Sequence, residues 1–242
     1  MIAIPAVDLR EGACVQLVGG SFEAERIRIS DPVQVAANWA ETGFERLHLV
    51  DLDAATGRGS NRGVVHRILR EFPGSVQVGG GVRTEEDVKR LLDEGARFVI
   101  VGTRAIQDPA WLAESASRHP GKLIVAADVR ERHVVTHGWQ QTADDDLQEV
   151  VRRLNPLPLA GILVTAVHRE GQLRGTDLPL IEEVAAASRV PIYASGGISS
   201  LEDLRRLGER KVYGAILGMA IYTNTIDARA LAAEFGVAQR AT

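Results

Sequence analysis

The sequence has a single cysteine, no run of basic residues and no long apolar stretch. With Cys14 alone the chain cannot form an intrachain disulfide, and such cysteine usage suits a reducing cytosol. No apolar stretch approaches the roughly 18 residues that indicate a membrane-spanning helix, and no signal-peptide pattern precedes the first apolar segment. We therefore predict a cytoplasmic protein with no membrane partner.

The charge balance and the missing motifs exclude further classes of function. The formal net charge is −4, with 25% charged and 45% hydrophobic residues, which is ordinary for a globular protein and argues against a nucleic-acid partner. Local Arg and backbone N–H donors still allow a small anionic ligand. No His, Cys or Asp cluster has the spacing of a metal site, and no Ser or Cys lies in a nucleophile motif.

Short apolar runs alternate with segments of helical period along the chain. The runs are continuously apolar, as expected of parallel strands covered on both faces; they span 2–8, 46–51, 75–79, 97–102, 122–128, 160–165, 191–195 and 213–218. Asp31, Thr84 and Asp108 are predicted helix N-caps. Eight strands alternating with helices predict a single (β/α)8 TIM barrel over residues 1–242. An open doubly wound sheet is the alternative, but no Gly-x-Gly-x-x-Gly follows the first strand.

The chain contains an internal repeat. AVDLREGACV resembles AADVRERHVV, which places Asp8 in register with Asp128, 120 residues further on. VGGGVRTEEDVKRLL likewise matches ASGGISSLEDLRRLG at a spacing of 116 residues. The repeat predicts two similar half-barrels, approximately 1–120 and 121–242. Because a half-barrel leaves its sheet edges unpaired, we expect the halves to close on each other as one domain, and we expect a monomer.

Glycine-rich segments follow the third and seventh predicted strands, and the fourth and eighth end in glycine. Without a Cβ, such loops let backbone N–H groups close around a phosphate at a helix start. Two such sites on opposite sides of one mouth predict a substrate with a phosphate at each end, although tight turns alone would also explain the glycines. We expect a bulky residue at Gly80 or Gly197 to weaken binding far more than folding. The predicted phosphate-binding residues are Gly80, Gly81, Arg83, Gly102, Thr103, Gly196, Gly197, Gly218 and Met219.

The second repeated feature is a pair of carboxylates. Asp8 ends the first predicted strand and Asp128 ends the fifth, so the two residues would face each other across the barrel mouth. One carboxylate on each side of a substrate suits general acid–base chemistry, in which one group removes a proton and the other delivers one. Either aspartate alone would more simply be explained as a helix cap or an ion-pair partner, but the matching positions favour catalysis.

Other residues carry weaker signals. His48 lies within an apolar strand and is predicted to be a core histidine. Asp51 and Asp53 fit substrate contact and loop structure equally well. Thr165 ends the sixth strand, where its hydroxyl is placed to donate to the substrate. Trp139, in the loop after the fifth strand, is predicted either to stack on an aromatic ring or to anchor local packing.

The motifs IPAVDL, HLVDLDAA, QVGGGVR, VGTRAI, the GW after the fifth strand and ASGGISS together resemble the isomerase family of histidine biosynthesis that acts on phosphoribosylformimino-aminoimidazole carboxamide ribotide. The resemblance runs from Ile2 to Tyr222. It implies a (β/α)8 barrel without metal or organic cofactor and a substrate that carries two phosphates. It also implies an Amadori rearrangement, which opens an aminoaldose ribose and converts it to an aminoketose.

The resemblance also implies roles for the carboxylates. Asp8 would be the base that takes the proton from C2 and is expected to be ionised at neutral pH. Asp128 would be the acid that protonates the ring oxygen. Glu170, in the loop after the sixth strand where the family usually has Asp, is a second candidate for the acid, and we favour Asp128.

Departures from the family pattern define the alternatives. After the sixth strand, TAVHREGQL replaces the usual TD-I/V-x-x-DGT, so Ala166 and Gln172 stand where Asp and Thr are common. Gln16 stands where an Arg is common, which predicts no useful activity on phosphoribosylanthranilate, the second substrate of some members. The related imidazole-glycerol-phosphate cyclase, a lyase that needs an ammonia-supplying partner subunit, is the next alternative. It has Cys-Leu-Asp-Val at its first strand, whereas Pro5 to Asp8 here match the isomerase. A barrel that binds a bisphosphate only as a regulator is a further alternative.

Overall fold

The structure is a computed structural model that describes residues 1–136, 139 and 141–237, so Gly138 of the GW pair lies outside the described residues. The described strands are β1 (Ile2–Arg10), β2 (Ala13–Val18), β3 (Ser21–Ile29), β4 (Arg46–Asp51), β5 (Ser75–Gly79), β6 (Phe98–Val101), β7 (Leu123–Arg130), β8 (His133–Thr136), β9 (Gln141–Asp146), β10 (Gly161–Ala166), β11 (Ile192–Ser195) and β12 (Gly214–Leu217).

Helices connect successive barrel strands, and most of them begin at a side-chain cap. Asp31 and Asp108 each accept a backbone N–H and are followed by Pro, as predicted, while Thr84 and Ser200 form complete capping boxes. The described helices are α1 (Pro32–Thr42), α2 (Leu52–Thr56), α3 (Arg62–Glu71), α4 (Glu85–Asp93), α5 (Thr103–Gln107), α6 (Pro109–Arg118), α7 (Leu147–Leu154), α8 (Leu178–Ala187), α9 (Leu201–Glu209), α10 (Met219–Tyr222) and α11 (Ala228–Phe235).

Eight parallel strands close into a ring. Their order is β1, β4, β5, β6, β7, β10, β11 and β12, with β12 pairing back onto β1. This topology confirms the predicted (β/α)8 barrel, and each apolar run agrees with its barrel strand to within two residues at each end. The pattern succeeds because every barrel strand is covered on both faces, by the interior on one side and by helices on the other.

Two antiparallel additions to the barrel were not predicted. β1 continues through a turn into the hairpin of β2 and β3, and β7 continues into β8 and β9. These pairings also carry β1 and β7 two residues beyond their predicted ends. Gly19 and Gly20, both with positive φ, form the two-residue turn between β2 and β3, and such a Gly-Gly pair is typical of a hairpin turn.

The core has two parts. Large apolar side chains fill the barrel interior, among them Ile4, Ile124 and Tyr193. A larger cluster packs between the strands and the helices, and it includes Leu9, Leu47 and Leu207. Among the described residues, no helix is long and apolar enough to cross a membrane. The filled interior leaves the carboxyl-terminal mouth, where the strand ends meet the loops, as the place for a ligand.

Candidate active site

Two aspartates lie on opposite sides of the barrel mouth. Asp8 is on β1 and Asp128 is on β7, and four strand steps separate these strands in either direction around the ring. Desolvation by surrounding atoms raises the pKa of Asp8 to about 7 and also raises the pKa of Asp128. Burial therefore opposes the ionisation of Asp8 that was expected at neutral pH.

Asp128 is held by two donors that the sequence had placed near the mouth. Trp139 Nε1 donates to Asp128 Oδ2 at 2.8 Å. The backbone of Trp139 is left-handed, with a φ of 70°. Thr165 is the strand partner of Asp128 on β10, and its side chain forms a second hydrogen bond to the carboxylate. Both bonds lower the pKa of Asp128, against the larger effect of desolvation. Trp139 thus has a polar partner in Asp128.

A third carboxylate lies close to the first two. Glu170 follows the 3-10 turn Val167–Arg169 after β10. Desolvation raises its pKa to about 7, and the charges of Asp8 and Asp128 contribute to the rise. Glu170 Oε2 has no hydrogen-bond partner among the described residues. The loop after β10 therefore places an acid with an unshared oxygen within electrostatic reach of both strand-end aspartates.

The β2–β3 hairpin covers this cluster. Gly19 N–H donates to the Glu170 carbonyl oxygen at 3.2 Å. Gly20 lies directly against the Trp139 ring, where an added Cβ would overlap the ring atoms. Gly171, next to Glu170, packs closely against the backbone of Leu17, where an added Cβ would lie 2.7 Å from the carbonyl oxygen. Three loops therefore meet over the mouth, and glycine permits the close approach.

The paired glycines have a structural requirement of their own. Gly80 and Gly196 have φ values of 102° and 96°, and Gly81 and Gly197 have values of 70° and 81°. A Cβ on Gly80 would overlap the Asp51 carbonyl, and one on Gly197 would overlap backbone of the loop before α8. The expectation that a bulky residue at Gly80 or Gly197 would spare the fold is therefore wrong, because left-handed backbone and close carbonyls both oppose a side chain.

The glycines that follow β11 and β12 line a pocket. Gly102 precedes α5 and Gly218 precedes α10, and their backbone angles are nearly equal. Gly102 has φ −113° and ψ −110°, and Gly218 has φ −112° and ψ −104°. Next to α10, the lining of the pocket includes Glu170, Gly196, Gly197, Gly218 and Met219. On the other side of the mouth, Thr103 begins α5, and Arg83 donates to the carbonyls of Ala54 and Ala55 at 3.3 and 3.2 Å. The Arg83 guanidinium therefore binds the end of α2.

Three residues with weak signals have structural roles. His48 is buried, bonds Gln77 through Nδ1 at 2.8 Å, and has its pKa lowered to about 4 by burial; the predicted core histidine is confirmed. Asp51 caps α2 and accepts two bonds from Asn61. Asp53 accepts from Asn61 and from the backbone of Glu11. For both aspartates, loop structure accounts for the side chain.

Sequence reasoning missed Ser195 and Tyr222 in this region, and it named Gln16 only as a departure from the family pattern, without its position beside Gly218. Ser195 lines the pocket beside α10. Gln16 is buried on β2, and its Oε1 lies where a Cβ on Gly218 would project. Tyr222, at the end of α10, bonds the backbone of β1. The glycine turn of the first hairpin could have placed Gln16, and the strand-end position could have placed Ser195, but no local pattern indicates Tyr222.

Comparison with known proteins agrees with this geometry. Residues 2–227 match the family described as histidine biosynthesis protein. A relative in Gemmatimonas aurantiaca is 60% identical over 98% of this chain and 100% of its own length, and one in Myxococcus xanthus is 54% identical over 97% and 99%. Both, like a 42% identical relative in Halorhodospira halophila, are named 1-(5-phosphoribosyl)-5-((5-phosphoribosylamino)methylideneamino) imidazole-4-carboxamide isomerase. With the family model covering most of its length, this chain belongs to the histidine biosynthesis protein family.

Proposed function

We propose that this chain is the isomerase of histidine biosynthesis that converts the aminoaldose ribose of phosphoribosylformimino-aminoimidazole carboxamide ribotide into the aminoketose. The observation that carries the proposal is the pair of opposed carboxylates, in a chain 60% identical over nearly its whole length to a relative named as an imidazole-4-carboxamide isomerase. Aldose–ketose isomerisation moves protons between neighbouring atoms, so it needs one group that accepts a proton and one that donates one.

Asp8 acts as the base in this proposal. The ionised carboxylate takes the proton from C2 of the ribose after the ring has opened. Because the pKa of Asp8 is about 7, the basic form gains population as the pH rises through 7. A base with a pKa near the working pH combines sufficient strength with sufficient population.

Two residues compete for the role of the acid, which protonates the ring oxygen. The resemblance assigns it to Asp128. The structure favours Glu170 on one point, since Asp128 accepts bonds from Trp139 and Thr165 that lower its pKa, whereas Glu170 has a pKa of about 7 and an unshared oxygen. We retain Asp128 as the proposed acid, with Glu170 as the alternative.

The glycine loops are the proposed phosphate anchors. Around one anchor, Gly196, Gly197, Gly218 and Met219 line a single pocket, which supports the proposal. The other would be formed by Gly80, Gly81, Arg83, Gly102 and Thr103, with Arg83 leaving the carbonyls that it bonds in the unliganded chain. Backbone N–H groups at such loops bind phosphate well. Anchors on either side of the mouth would hold the ribose between Asp8 and Asp128.

The test is a product assay with purified protein, without ammonia or a glutaminase. Formation of the aminoketose from the histidine-pathway substrate is the expected result, and its absence contradicts the proposal. A parallel assay with phosphoribosylanthranilate tests substrate breadth. Gln16 supplies no charge to pair with an anthranilate carboxylate, so we expect turnover of that substrate to be at least about tenfold slower. Comparable turnover of both substrates would indicate a dual-substrate isomerase.

A further inference from the structure

The strand that carries Asp8 has a gap in its pairing immediately before that residue. The last register pair between β1 and β12 joins Pro5 to Leu217. The first pair between β1 and β2 joins Asp8 to Val15. Ala6 therefore lies between the two pairings on this edge of β1 within the described strands. A buried carbonyl at such a gap needs a donor from elsewhere in the molecule.

Tyr222 supplies that donor. Its hydroxyl donates to the Ala6 carbonyl oxygen at 2.7 Å. A phenol has one proton, so the other two neighbours of the hydroxyl must donate to its oxygen. Trp39 Nε1 does so at 3.3 Å, and the Cys14 thiol lies at the same distance. The Trp39 and Tyr222 rings meet edge to face with centroids 5.3 Å apart, which fixes the position of the hydroxyl.

The same network returns to Asp8. The Cys14 sulfur also interacts with the backbone N–H of Asp8. Burial raises the pKa of Cys14 to about 12 and raises the pKa of Tyr222 well above its ordinary value. Both groups are therefore neutral at any pH near neutrality. Their effect on Asp8 comes from geometry, since neither brings a charge to the mouth.

We propose that Tyr222, supported by Cys14 and Trp39, is a positioning residue for Asp8. The hydroxyl takes the place of the missing strand neighbour and fixes the segment of β1 that presents the carboxylate. A base works only within hydrogen-bond reach of its proton, and a displacement of about 1 Å can cost about a hundredfold in rate. The inference rests on the proposed role of Asp8, and it assigns no substrate contact to Tyr222.

The test compares Tyr222→Phe with Tyr193→Phe. Tyr193 is the matched control, because it is also buried and its hydroxyl bonds Arg46 at 3.1 Å in another part of the barrel. In Tyr222→Phe we expect kcat to fall about tenfold to a hundredfold with KM within about twofold. We also expect the pKa of Asp8 to fall, because a loosened carboxylate is better hydrated. Tyr193→Phe should keep both values.

The pKa of Asp8 is read directly, by carboxyl carbon-13 titration with Asp8→Asn to assign the signal, and this readout does not depend on turnover. A wild-type chain without isomerase activity contradicts the proposed function, while the titration still decides the role of Tyr222. The inference is overturned if the two Phe variants lose melting temperature equally while kcat and the pKa of Asp8 stay unchanged. If Tyr222→Phe does not fold, Cys14→Ala replaces it, and an unchanged pKa of Asp8 there also overturns it.

Discussion

At the scale of single residues, the mouth gathers three carboxyl groups where burial disfavours charge. The pKa values of Asp8 and Glu170 rise to about 7, and that of Asp128 rises as well. Outside the barrel these groups would titrate near pH 4. The fold therefore brings the pKa of its proposed base, Asp8, to about 7 and raises the pKa of its proposed acid, Asp128, and it does so at the expense of stability.

Replacing Asp8 should separate activity from stability. We expect Asp8→Asn to lower kcat by about 10²–10⁴-fold, because the proposed proton acceptor is lost while the proposed phosphate loops remain. Asp8 binds its proton up to about pH 7 in the folded chain but only to about pH 4 when unfolded. Its stabilisation is therefore complete below about pH 4 and is lost as the pH rises through 7.

Asparagine cannot ionise, so Asp8→Asn should melt above the wild type at pH 8, by on the order of a few kcal/mol in the free energy of unfolding. The difference should shrink towards pH 4. Melting curves across this range, together with turnover of the histidine-pathway substrate, provide the measurement. A variant that keeps a tenth of wild-type turnover would contradict the assignment of Asp8 as base.

The identity of the acid is decided by the alkaline limb of the pH–rate profile. If Asp128 is the acid, Asp128→Asn should abolish that limb and Glu170→Gln should preserve it with a smaller loss of kcat. Trp139→Phe removes a hydrogen bond that lowers the pKa of Asp128, so the limb should then move to higher pH. The reverse pattern, with the limb lost only in Glu170→Gln, would exchange the two roles.

At the scale of elements, each proposed phosphate loop combines a left-handed glycine turn with a helix start. The turn glycines cannot be replaced without disturbing the fold, so a test of binding needs a neighbouring residue. Thr103, the first residue of α5, is suitable because a negative charge at a helix start is compatible with the helix dipole. A carboxylate at that position would repel a bound phosphate.

We expect Thr103→Asp to raise KM at least about tenfold, with a smaller effect on kcat and little change in melting temperature. Gln34→Asp is the matched control, since it places the same charge in the exposed first turn of α1 and should leave KM unchanged. Steady-state kinetics of both variants give the measurement. Equal KM values for Thr103→Asp and the wild type would argue against a phosphate at α5.

At the scale of the whole molecule, the barrel joins its proposed halves along two seams. β1 pairs with β12 from Ile2 to Pro5, and β6 pairs with β7 from Val99 to Val101. Fragment 1–120 alone would expose the free edges of β1 and β6. Open apolar edges favour association with other chains over a stable monomer.

We therefore expect fragments 1–120 and 121–242, produced separately, to aggregate or to unfold without cooperativity. Produced together, they should restore isomerase activity, because each supplies the missing edges of the other. Size-exclusion chromatography and thermal unfolding followed by circular dichroism check the separate fragments. A monomeric fragment with a sharp unfolding transition would show that a half-barrel is a domain by itself.

Local patterns in the sequence determined the barrel and much of its mouth. The eight apolar runs correspond to the eight barrel strands, and Asp8 and Asp128 lie at the mouth because each follows such a run. Positions of this kind can be predicted from the sequence because strand ends and helix caps depend on neighbouring residues. The ends of parallel strands also meet at one face of the barrel.

The interactions among the groups at the mouth depend on contacts that form only in the folded chain. Burial set the pKa of Asp8, and the hairpin after β1 brought Gly19 to Glu170. The bond from Tyr222 to Ala6 joins residues 216 positions apart. Such contacts leave no periodic or local signal, because they arise from strand order, ring closure and the exclusion of water, which exist only once the whole chain has folded.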